Sequence, residues 1–469
     1  MKLQPSAGYS LIVRTETPNQ PGMLGQVVTA IAEEGGDVGA IDIVRAGGGK
    51  MVRDITVGAR DEAHAEAIVS HVREVGGVNV LHVTDRTFLI HLGGKLTVEG
   101  KSPVKGREDL SMIYAPGVAR VSLAIHADPI KQWTLTVKRH TIAVVTDGSA
   151  VMALGNLGPA PAQPVMEGKC MIFKAFADLD AFPICLDTQS TDEIVQALKH
   201  IAPVFGGIAL ADIAAPRCFE VEERLRTGVD IPVMHDDQHG AAVVVLAALS
   251  NALRVVGKSL DSAQIVVSGA GVAGMGVGHL LVAAGARNLI VCDRAGALYP
   301  GRAERMNPYK ERLARATNPR GRQGSMREVL RGADVFIGMS GPGLVTATDV
   351  GSMAADPIVF ALANPIPECA PDELTDVARV VATGRSEFPN QLNNSLASPG
   401  IFRGALEAQS RDIDDAMKIA AASALANLVG PDELQEEYII PSLFDRRVAD
   451  TVAHATREAA RASGLARRG

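Results

Sequence analysis

The sequence predicts an α/β protein with about three domains. Its 469 residues are enough for that number, and apolar segments with strand and helix periodicity alternate along the chain. The first ninety residues follow a β-α-β-β-α-β order, which is typical of a ferredoxin-like domain. Further along, a glycine-rich turn follows a run of strand formers, and strands then alternate with helices, as in a parallel sheet.

The composition is that of a globular protein, and small, acidic or neutral ligands stay open. Hydrophobic residues make up 47% of the chain, the net charge is −7, and no cluster of Lys or Arg predicts a nucleic-acid or membrane surface. The five cysteines lack CxxC spacing, which predicts reduced thiols rather than disulfides. The N-terminus has no signal-peptide pattern, and no apolar run reaches the roughly twenty residues of a membrane helix. We therefore expect a cytoplasmic protein.

Residues 1–92 are predicted to form a unit of their own. SLIVRTE, AIDIVRA, MVRDITVGA and VNVLHVTDRTFLIH are its predicted strands, with amphipathic helices after the first and third. The segment PNQPGMLGQV resembles the ligand loop of ACT domains, which commonly bind amino acids. A helix N-terminus offers free N–H groups to a carboxylate, so an amino acid or organic acid could act here as an effector. A dimerisation module without a ligand is the alternative.

Residues 93–257 show α/β patterning with polar clusters at the ends of apolar strands, where the sites of α/β proteins usually form. The cluster HDDQH lies between the apolar IPVM and the long apolar stretch AAVVVLAAL. Unpaired carboxylates are too costly to bury. The cluster is therefore expected to lie in a cleft or to have partners beneath it.

The carboxylates of this unit predict a site for a hard cation. Asp212, Asp236 and Asp237 together suit Mg²⁺ or Mn²⁺, because these ions take oxygen ligands and keep positions open for a substrate. Zinc fits less well, since no Cys or third His completes a tetrahedral set. Asp236 could instead cap the helix that follows it. His235 and His239 are expected to be hydrogen-bonding residues at the helix start rather than ligands.

Residues 258–405 carry the fingerprint of a Rossmann dinucleotide-binding domain. A strand-like run precedes the glycine turn, a helix follows it, and an acid ends the next strand at Asp293. Asp293 predicts a preference for NAD over NADP, although Arg294 could receive the 2′-phosphate of NADP. Helices in 406–469 are expected to pack on the catalytic domain or at an oligomer interface. The fingerprint residues are Gly269, Ala270, Gly271, Val272, Ala273 and Gly274.

From Lys101 to about Leu406 the chain resembles the bacterial malic enzymes. The motifs DLSMIYAPGVA, PVMEGKCMIFKAFA, FGGIALADIAAPRCFEVE and IPVMHDDQHG match family segments in order. The resemblance implies conversion of L-malate to pyruvate and CO₂ with NAD(P)⁺ and Mg²⁺ or Mn²⁺. It also implies that Tyr114 and Lys169 are the catalytic residues, and it favours a homodimer or higher homo-oligomer.

The metal ligands that the resemblance implies are Asp212 and Asp237, with Asp236 as a less certain third. Where the family has a ligand Glu, this chain has Ala211, and the loss of a carboxylate should weaken cation binding. Two further departures from the family motifs are Ala241, in place of Thr, and Ser398, in place of an aromatic residue.

The family mechanism assigns a step to each catalytic residue. Lys169, with a depressed pKa, takes the proton of the C2 hydroxyl while a hydride passes to the nicotinamide. The cation polarises the C2 carbonyl, and Tyr114, tuned by nearby Lys169, protonates the enol at C3. Asn364 and Asn394 are expected to bind nicotinamide and the malate carboxylates, and Asn364 also suits a turn before Pro365.

Two functions of other kinds stay open at this point. Ala211 favours a catalytically weakened relative that acts as a ligand-sensing binding protein, whereas intact Tyr114, Lys169 and glycine fingerprint favour the enzyme. An amino-acid dehydrogenase would also combine a Rossmann domain with a catalytic Lys. It would need no carboxylate metal site, so a requirement for Mn²⁺ would argue against it.

Overall fold

The computed structural model describes residues 5–364 and 366–467, so Pro365, predicted to follow a turn at Asn364, lies outside the described residues. The chain forms two compact units, Met1–Thr97 and Val98–Gly469. Within the described ranges, no helix is both long and apolar enough to cross a lipid bilayer.

The first unit is a four-stranded antiparallel sheet with two helices on one face. The strand order is β2-β3-β1-β4. Alternate residues of the central strands, such as Val13 and Ile55, are buried against Ile31 and Ile68 of the helices. Its elements are β1 (Ser6–Pro18), α1 (Met23–Glu33), β2 (Asp37–Gly47), β3 (Lys50–Ala59), α2 (Glu62–Glu74), β4 (Asn79–Asp85) and α3 (Arg86–His91).

The elements of the first unit follow the predicted β-α-β-β-α-β order, but the last predicted strand is too long. The strand ends at Asp85, whose carboxylate accepts hydrogen bonds from the backbone N–H groups of Thr87 and Phe88. That cap starts α3 where the apolar run TFLI had predicted more strand.

The second unit begins with short helices and a parallel sheet of order β6-β5-β7-β8. Helices connect the parallel strands, so the carboxyl ends of all four strands lie at one edge. The elements are α4 (Arg107–Ile113), α5 (Gly117–Ala127), α6 (Gln132–Leu135), β5 (Thr141–Thr146), α7 (Pro159–Ala177), β6 (Asp180–Cys185), α8 (Thr191–Ile201), β7 (Gly207–Leu210), α9 (Arg217–Gly228), β8 (Val233–His235) and α10 (Ala241–Val255).

The predicted carboxylates follow two neighbouring strands of this sheet. Asp212 comes two residues after β7, and Asp236 directly follows β8. The segment Asp236–Gly240 forms a π-helical turn before α10, a geometry that is rare and often found at functional sites. No side chain caps α10, so the prediction that Asp236 caps this helix is wrong.

The second sheet of this unit has the order β11-β10-β9-β12-β13-β14, parallel except for β11, as in Rossmann-like domains. The glycine turn lies between β9 and α11. The elements are β9 (Gln264–Ser268), α11 (Val272–Ala283), β10 (Asn288–Asp293), β11 (Gly296–Ala297), α12 (Pro308–Thr317), α13 (Met326–Leu330), β12 (Val335–Gly338), α14 (Ala347–Val350), β13 (Ile358–Ala361) and β14 (Val380–Thr383).

Three helices close the chain: α15 (Ser398–Glu407), α16 (Asp415–Ala426) and α17 (Arg447–Ala462). Helix α17 packs on α15 and α16, and α16 packs on α10. Buried Asn251 of α10 donates hydrogen bonds to the carbonyls of Ala426 and Ile439, at 2.9 Å each. The C-terminal helices are thus joined to the helix that follows the HDDQH cluster.

Candidate active site

Lys169 reaches the carboxylate cluster from the buried face of α7. Met166, Cys170 and Phe173 are buried on this helix, and Lys169 lies three residues after Met166, on the same face. Its Nζ donates hydrogen bonds to Asp236 Oδ2 at 2.5 Å and to Asp237 Oδ1 at 3.2 Å. The structure therefore brings the predicted catalytic lysine to the predicted carboxylates.

Asp212 and Asp237 form a close pair in which one oxygen is left without a partner. The backbone N–H of Asp212 donates to Asp237 Oδ2 at 2.7 Å. Asp212 itself has a φ of 53°, in the left-handed region that is costly for a residue other than glycine. Its Oδ2 atom is buried and has no hydrogen-bond partner among the described residues. Strain and an orphaned carboxylate oxygen together indicate a functional position.

The charges of the cluster shift each other's titration. Burial and the charge of Asp237 raise the pKa of the Asp212 carboxyl to about 7. Burial alone would raise the pKa of Asp237, but the charge of Lys169 outweighs it and holds that pKa below its usual value. An additional positive charge between the two carboxylates would relieve the repulsion that raises the pKa of Asp212.

The pKa of Lys169 is raised in this structure, whereas the sequence predicted that it would be depressed. Burial by itself lowers the pKa of the ammonium, but the charges of Asp236, Asp237 and Asp212 outweigh burial. The expectation came from the family mechanism, whereas in the folded chain three acidic neighbours stabilise the charged ammonium. It is therefore wrong for the site in this state.

Asp236 is held by three side chains, one from α7 and two from the segment that leads into α15. Its Oδ2 accepts hydrogen bonds from Lys169 Nζ and from Asn394 Nδ2, the latter at 2.7 Å. Its Oδ1 accepts one from Ser398 Oγ. Within the described part of the chain, no group of three or more Asp, Glu, His and Cys side chains is arranged to hold a metal. Because both oxygens of Asp236 accept hydrogen bonds from side chains, Asp212 and Asp237 are the remaining candidate ligands.

Glu222 of α9 holds the π-helical turn from below. This buried carboxylate accepts a hydrogen bond from the backbone N–H of His235 at 2.9 Å, and its Oε2 lies 3.0 Å from His239 Nε2 and 3.3 Å from Gln238 Nε2. Burial alone would raise the pKa of Glu222, but the hydrogen bond and charge interaction with His239 and the charge of Lys418 hold it down at about 2. By contrast, the buried ring nitrogens of His235 have no hydrogen-bond partner in the described ranges.

The helical periodicity of the sequence already indicates that Glu222 is buried. On α9 the buried residues include Cys218 and Leu225, which lie four residues before and three residues after Glu222. A charged residue at that spacing lies on the buried face of the helix, and buried carboxylates require partners. The helical periodicity could therefore have identified Glu222 as part of a buried polar network.

Tyr114 is largely exposed in the single chain. It directly follows the last residue of α4, and its side chain is 68% exposed. The hydrogen bonds of Lys169 go to Asp236 and Asp237 rather than to Tyr114 among the described residues. Neither α4 nor α5 has a buried residue, and both expose large apolar side chains.

The glycine turn after β9 opens into a cleft of about 720 Å³, lined among others by Gly269, Ala270 and Gly271. Gly269 has a φ of 118°, and a Cβ there would lie 2.3 Å from the carbonyl oxygen of Met339. A Cβ on Gly274 would lie 1.8 Å from the carbonyl oxygen of Gly269, whereas Gly271 faces open space. These are the three roles that glycines have in a dinucleotide fingerprint.

Asp293 lines the same cleft, but its oxygens are already occupied. Its Oδ1 accepts hydrogen bonds from the Ala295 N–H and from Arg302, and its Oδ2 accepts from Arg302 and from Lys310. Burial alone would raise the pKa of Asp293, but the bonds from Arg302 and Lys310 lower it to about 2. Among the cations here, only Arg294 could be recognised beside the fingerprint acid, because Arg302 and Lys310 follow Asp293 by 9 and 17 residues and lie outside the fingerprint.

The two predicted amides lie at different points of the site. Asn394 is bonded to Asp236, so it supports Lys169 through that carboxylate. Asn364 follows β13 by three residues, and a Cβ on Gly384 would lie 2.9 Å from its Nδ2. The glycine at 384 thus leaves room for the Asn364 amide at the carboxyl end of the nucleotide-binding sheet.

Known protein families match most of this chain. Residues 93–226 match the family model "Malic enzyme, N-terminal domain", and residues 238–461 match "Malic enzyme, NAD binding domain". The chain is 51% identical to the NAD-dependent malic enzyme of Geobacillus stearothermophilus over 468 residues, which cover 100% of this chain and 98% of that protein.

Two further relatives cover the larger part of the chain. The bifunctional malic/malolactic enzyme of Bacillus subtilis is 51% identical over 80% of this chain and 92% of that protein. The crystal structure of malic enzyme from Pyrococcus horikoshii is similar, with a TM-score of 0.78 and 45% identity, and the match covers 80% of this chain and 89% of that one.

Proposed function

Because the chain belongs to the malic enzyme family, we propose that it oxidises and decarboxylates L-malate to pyruvate and CO₂ with NAD⁺ as the hydride acceptor. One observation carries the proposal beyond the family relationship. Lys169 lies between Asp236 and Asp237, beside a strained Asp212 with an orphaned oxygen, at the carboxyl edge of the sheet. An amino-acid dehydrogenase would need no carboxylate pair that binds a cation.

Asp212 and Asp237 fit a divalent cation. Burial and the repulsion by Asp237 raise the pKa of Asp212, and the free Asp212 Oδ2 provides a ligand atom. Mg²⁺ commonly binds through one or two carboxylates and completes its shell with water and substrate oxygens. We therefore assign these two residues as the ligands of Mg²⁺ or Mn²⁺. When bound, such an ion polarises the C2 carbonyl and stabilises the enolate charge.

Lys169 is proposed to take the proton of the malate C2 hydroxyl. As that proton moves to Nζ, the C2 hydride passes to the nicotinamide ring and C2 becomes a carbonyl, which yields oxaloacetate and NADH. Nζ must first be neutral, and compensation of the charges on Asp212 and Asp237 would lower its pKa toward that state. Asp236 keeps Nζ in place through its hydrogen bond of 2.5 Å.

Tyr114 is proposed to protonate C3 after CO₂ has left. Its exposure in the single chain supports self-association, because contact with a second copy through α4 and α5 would take Tyr114 and the apolar side chains around it out of water. We therefore propose a homodimer or higher homo-oligomer.

The first unit is proposed to be an ACT-like regulatory domain that binds an amino acid or organic acid. Its β-α-β-β-α-β order supports this, as does an open cleft of about 540 Å³ that runs along α1 beside the end of α2 and is lined by Gly22, Gln26, Thr29 and His71 among others. Calorimetric titration with amino and organic acids tests the proposal. If none binds, the alternative of a dimerisation module without a ligand is supported.

The five thiols support a reducing compartment such as the cytoplasm. All five cysteines are free, and four of them are buried. Burial raises the pKa of Cys170 and Cys292 to about 12, which leaves them protonated and unreactive.

The second candidate function is a ligand-sensing protein with weak catalysis, and Ala211 is the observation that favours it. Ala211 is completely buried next to Asp212 and provides no ligand oxygen. We expect Ala211→Glu to tighten Mn²⁺ binding and to raise turnover, because a third carboxylate adds charge and a coordinating oxygen. Asp212→Asn should have the opposite effect on binding.

The test combines two measurements over one Mn²⁺ titration: NADH formation from L-malate, and free Mn²⁺ by electron paramagnetic resonance. High activity of the parent chain at low Mn²⁺, with no change in Ala211→Glu, would contradict the metal assignment. Absence of malate oxidation in both chains would instead favour the sensor.

A further inference from the structure

Ser398 is a buried serine that contacts the carboxylate holding Lys169. It opens α15, is 3% exposed, and its Oγ donates a hydrogen bond to Asp236 Oδ1. From the sequence, this position could be described only as a departure from the family motif. In the structure it is the sole described side chain that bonds the second oxygen of Asp236.

The bonds of Asp236 divide between its two oxygens. Oδ2 accepts from Lys169 and Asn394, and Oδ1 accepts from Ser398. Rotation of an Asp carboxylate about its last torsion is broad and roughly two-fold. A donor on Oδ1 therefore fixes which oxygen faces Lys169 and at what angle.

The backbone of Gly240 packs directly against the hydrogen bond between Ser398 and Asp236. A Cβ on Gly240 would lie 2.5 Å from Ser398 Oγ and 2.7 Å from Asp236 Oδ1. Because the backbone of the π-helical turn passes so close, Asp236 and Ser398 are packed together with little room for an alternative arrangement.

We propose that Ser398 is a positioning residue, which acts through Asp236 to hold Lys169 Nζ where it accepts the hydroxyl proton of malate. The inference rests on the proposed function, since it assigns Lys169 that step. Hydride transfer is sensitive to small misplacements of the base, because proton and hydride leave the same carbinol group in a defined geometry.

The test is Ser398→Ala, with Ser410→Ala as the matched control. Ser410 is also buried and follows the other end of α15, where its hydroxyl donates to the Asp412 carbonyl. We expect Ser398→Ala to lower kcat for malate oxidation about tenfold, with KM for malate changed less than about twofold. Ser410→Ala should stay within about twofold of the parent in both constants.

Two readouts separate positioning from a general loss of structure. Decarboxylation of added oxaloacetate involves no proton transfer from a C2 hydroxyl, so Ser398→Ala should leave its rate unchanged. In a chain that carries Asp236→Asn, adding Ser398→Ala should change the remaining kcat less than about twofold, because the effect runs through Asp236.

The proposal is wrong if Ser398→Ala oxidises malate like the parent, if both reactions fall together, or if its effect adds fully to that of Asp236→Asn. It is also wrong if Ser398→Ala loses NADH binding and unfolds at a much lower temperature, since the hydroxyl would then be structural. A parent chain that does not oxidise malate at all overturns the proposed function instead, and with it the catalytic part of this inference.

Discussion

At the scale of single residues, the two acids expected to bind ligands differ in how many hydrogen bonds they already accept. Asp212 has a buried oxygen without a partner, whereas both oxygens of Asp293 accept two bonds each. A carboxylate offers about four acceptor positions. We therefore expect a ribose hydroxyl to compete with Arg302 or Lys310 for Asp293, and NAD selectivity to depend on how the acid restrains those two cations.

We expect Asp293→Asn to reduce the preference for NAD⁺. The substitution removes the charge that engages Arg302 and Lys310, and both cations then become available to the 2′-phosphate of NADP⁺. The ratio of kcat/KM for NAD⁺ to that for NADP⁺ should fall by about tenfold, since a charged hydrogen bond contributes about 1.5–3 kcal/mol. Asp334→Asn is the control, because Asp334 pairs with Lys258 outside the cleft lining. An unchanged ratio in Asp293→Asn would contradict this account.

At the scale of elements, helix α11 joins the nucleotide site to the carboxylate cluster. Its N-terminus follows the glycine turn, and a Cβ on Gly276 would lie 2.3 Å from the backbone carbonyl oxygen of Gln238. Gln238 belongs to the π-helical turn that carries Asp236 and Asp237. Because Gly276 has no side chain, the backbone of α11 can contact the π-helical turn.

Gly276→Ala should separate the helix from the turn. We expect it to destabilise the protein by about 1–3 kcal/mol, the usual range for overpacking, and to lower kcat by moving Asp236 and Asp237. Gly278→Ala is the matched control on the same helix. Its Cβ would meet side-chain atoms of Val291 and Leu313 at 3.1 Å or more, and the gain in helix propensity of about 1 kcal/mol offsets that contact.

Thermal unfolding midpoints and kcat of the two variants provide the comparison. If Gly276→Ala and Gly278→Ala had the same unfolding midpoint and the same kcat, the close approach of α11 to the turn would not matter for activity.

At the scale of the whole molecule, the apolar surface of α4 and α5 predicts association. Leu123 is 66% exposed and lies in α5, where no residue is buried. We expect Leu123→Glu to shift the protein toward monomer in sedimentation velocity and to reduce activity, because a buried unpaired carboxylate is costly at an interface. Val204→Glu, on an exposed side chain of the same unit, should leave both properties unchanged. A Leu123→Glu protein of unchanged mass would place the interface elsewhere.

Much of the candidate site could be predicted because its residues lie in short, chemically distinctive segments. The glycine turn, Asp212 and the HDDQH cluster each end an apolar strand, and the carboxyl ends of parallel strands meet at one edge. Lys169 was predicted only through its resemblance to a family motif, since a single Lys on an amphipathic helix has no local signature.

The partners of these residues could not be predicted, because they come from segments far apart in the chain. Ser398 and Asn394 reach Asp236 across more than 150 residues, and Glu222 is held below the turn by the packing of α9. The raised pKa of Lys169 has the same origin, since it depends on three charges that only folding brings together.

The sequence by itself determined the order of the elements, the nucleotide fingerprint and the family, because these depend on local periodicity and on motifs of adjacent residues. Only the tertiary structure decided that Asp236 supports Lys169 rather than capping α10. It also decided that both oxygens of Asp293 already accept hydrogen bonds, and that one oxygen of Asp212 accepts none. Each of those outcomes depends on which hydrogen-bond donors reach which carboxylate lone pairs, and long-range packing determines where those donors lie.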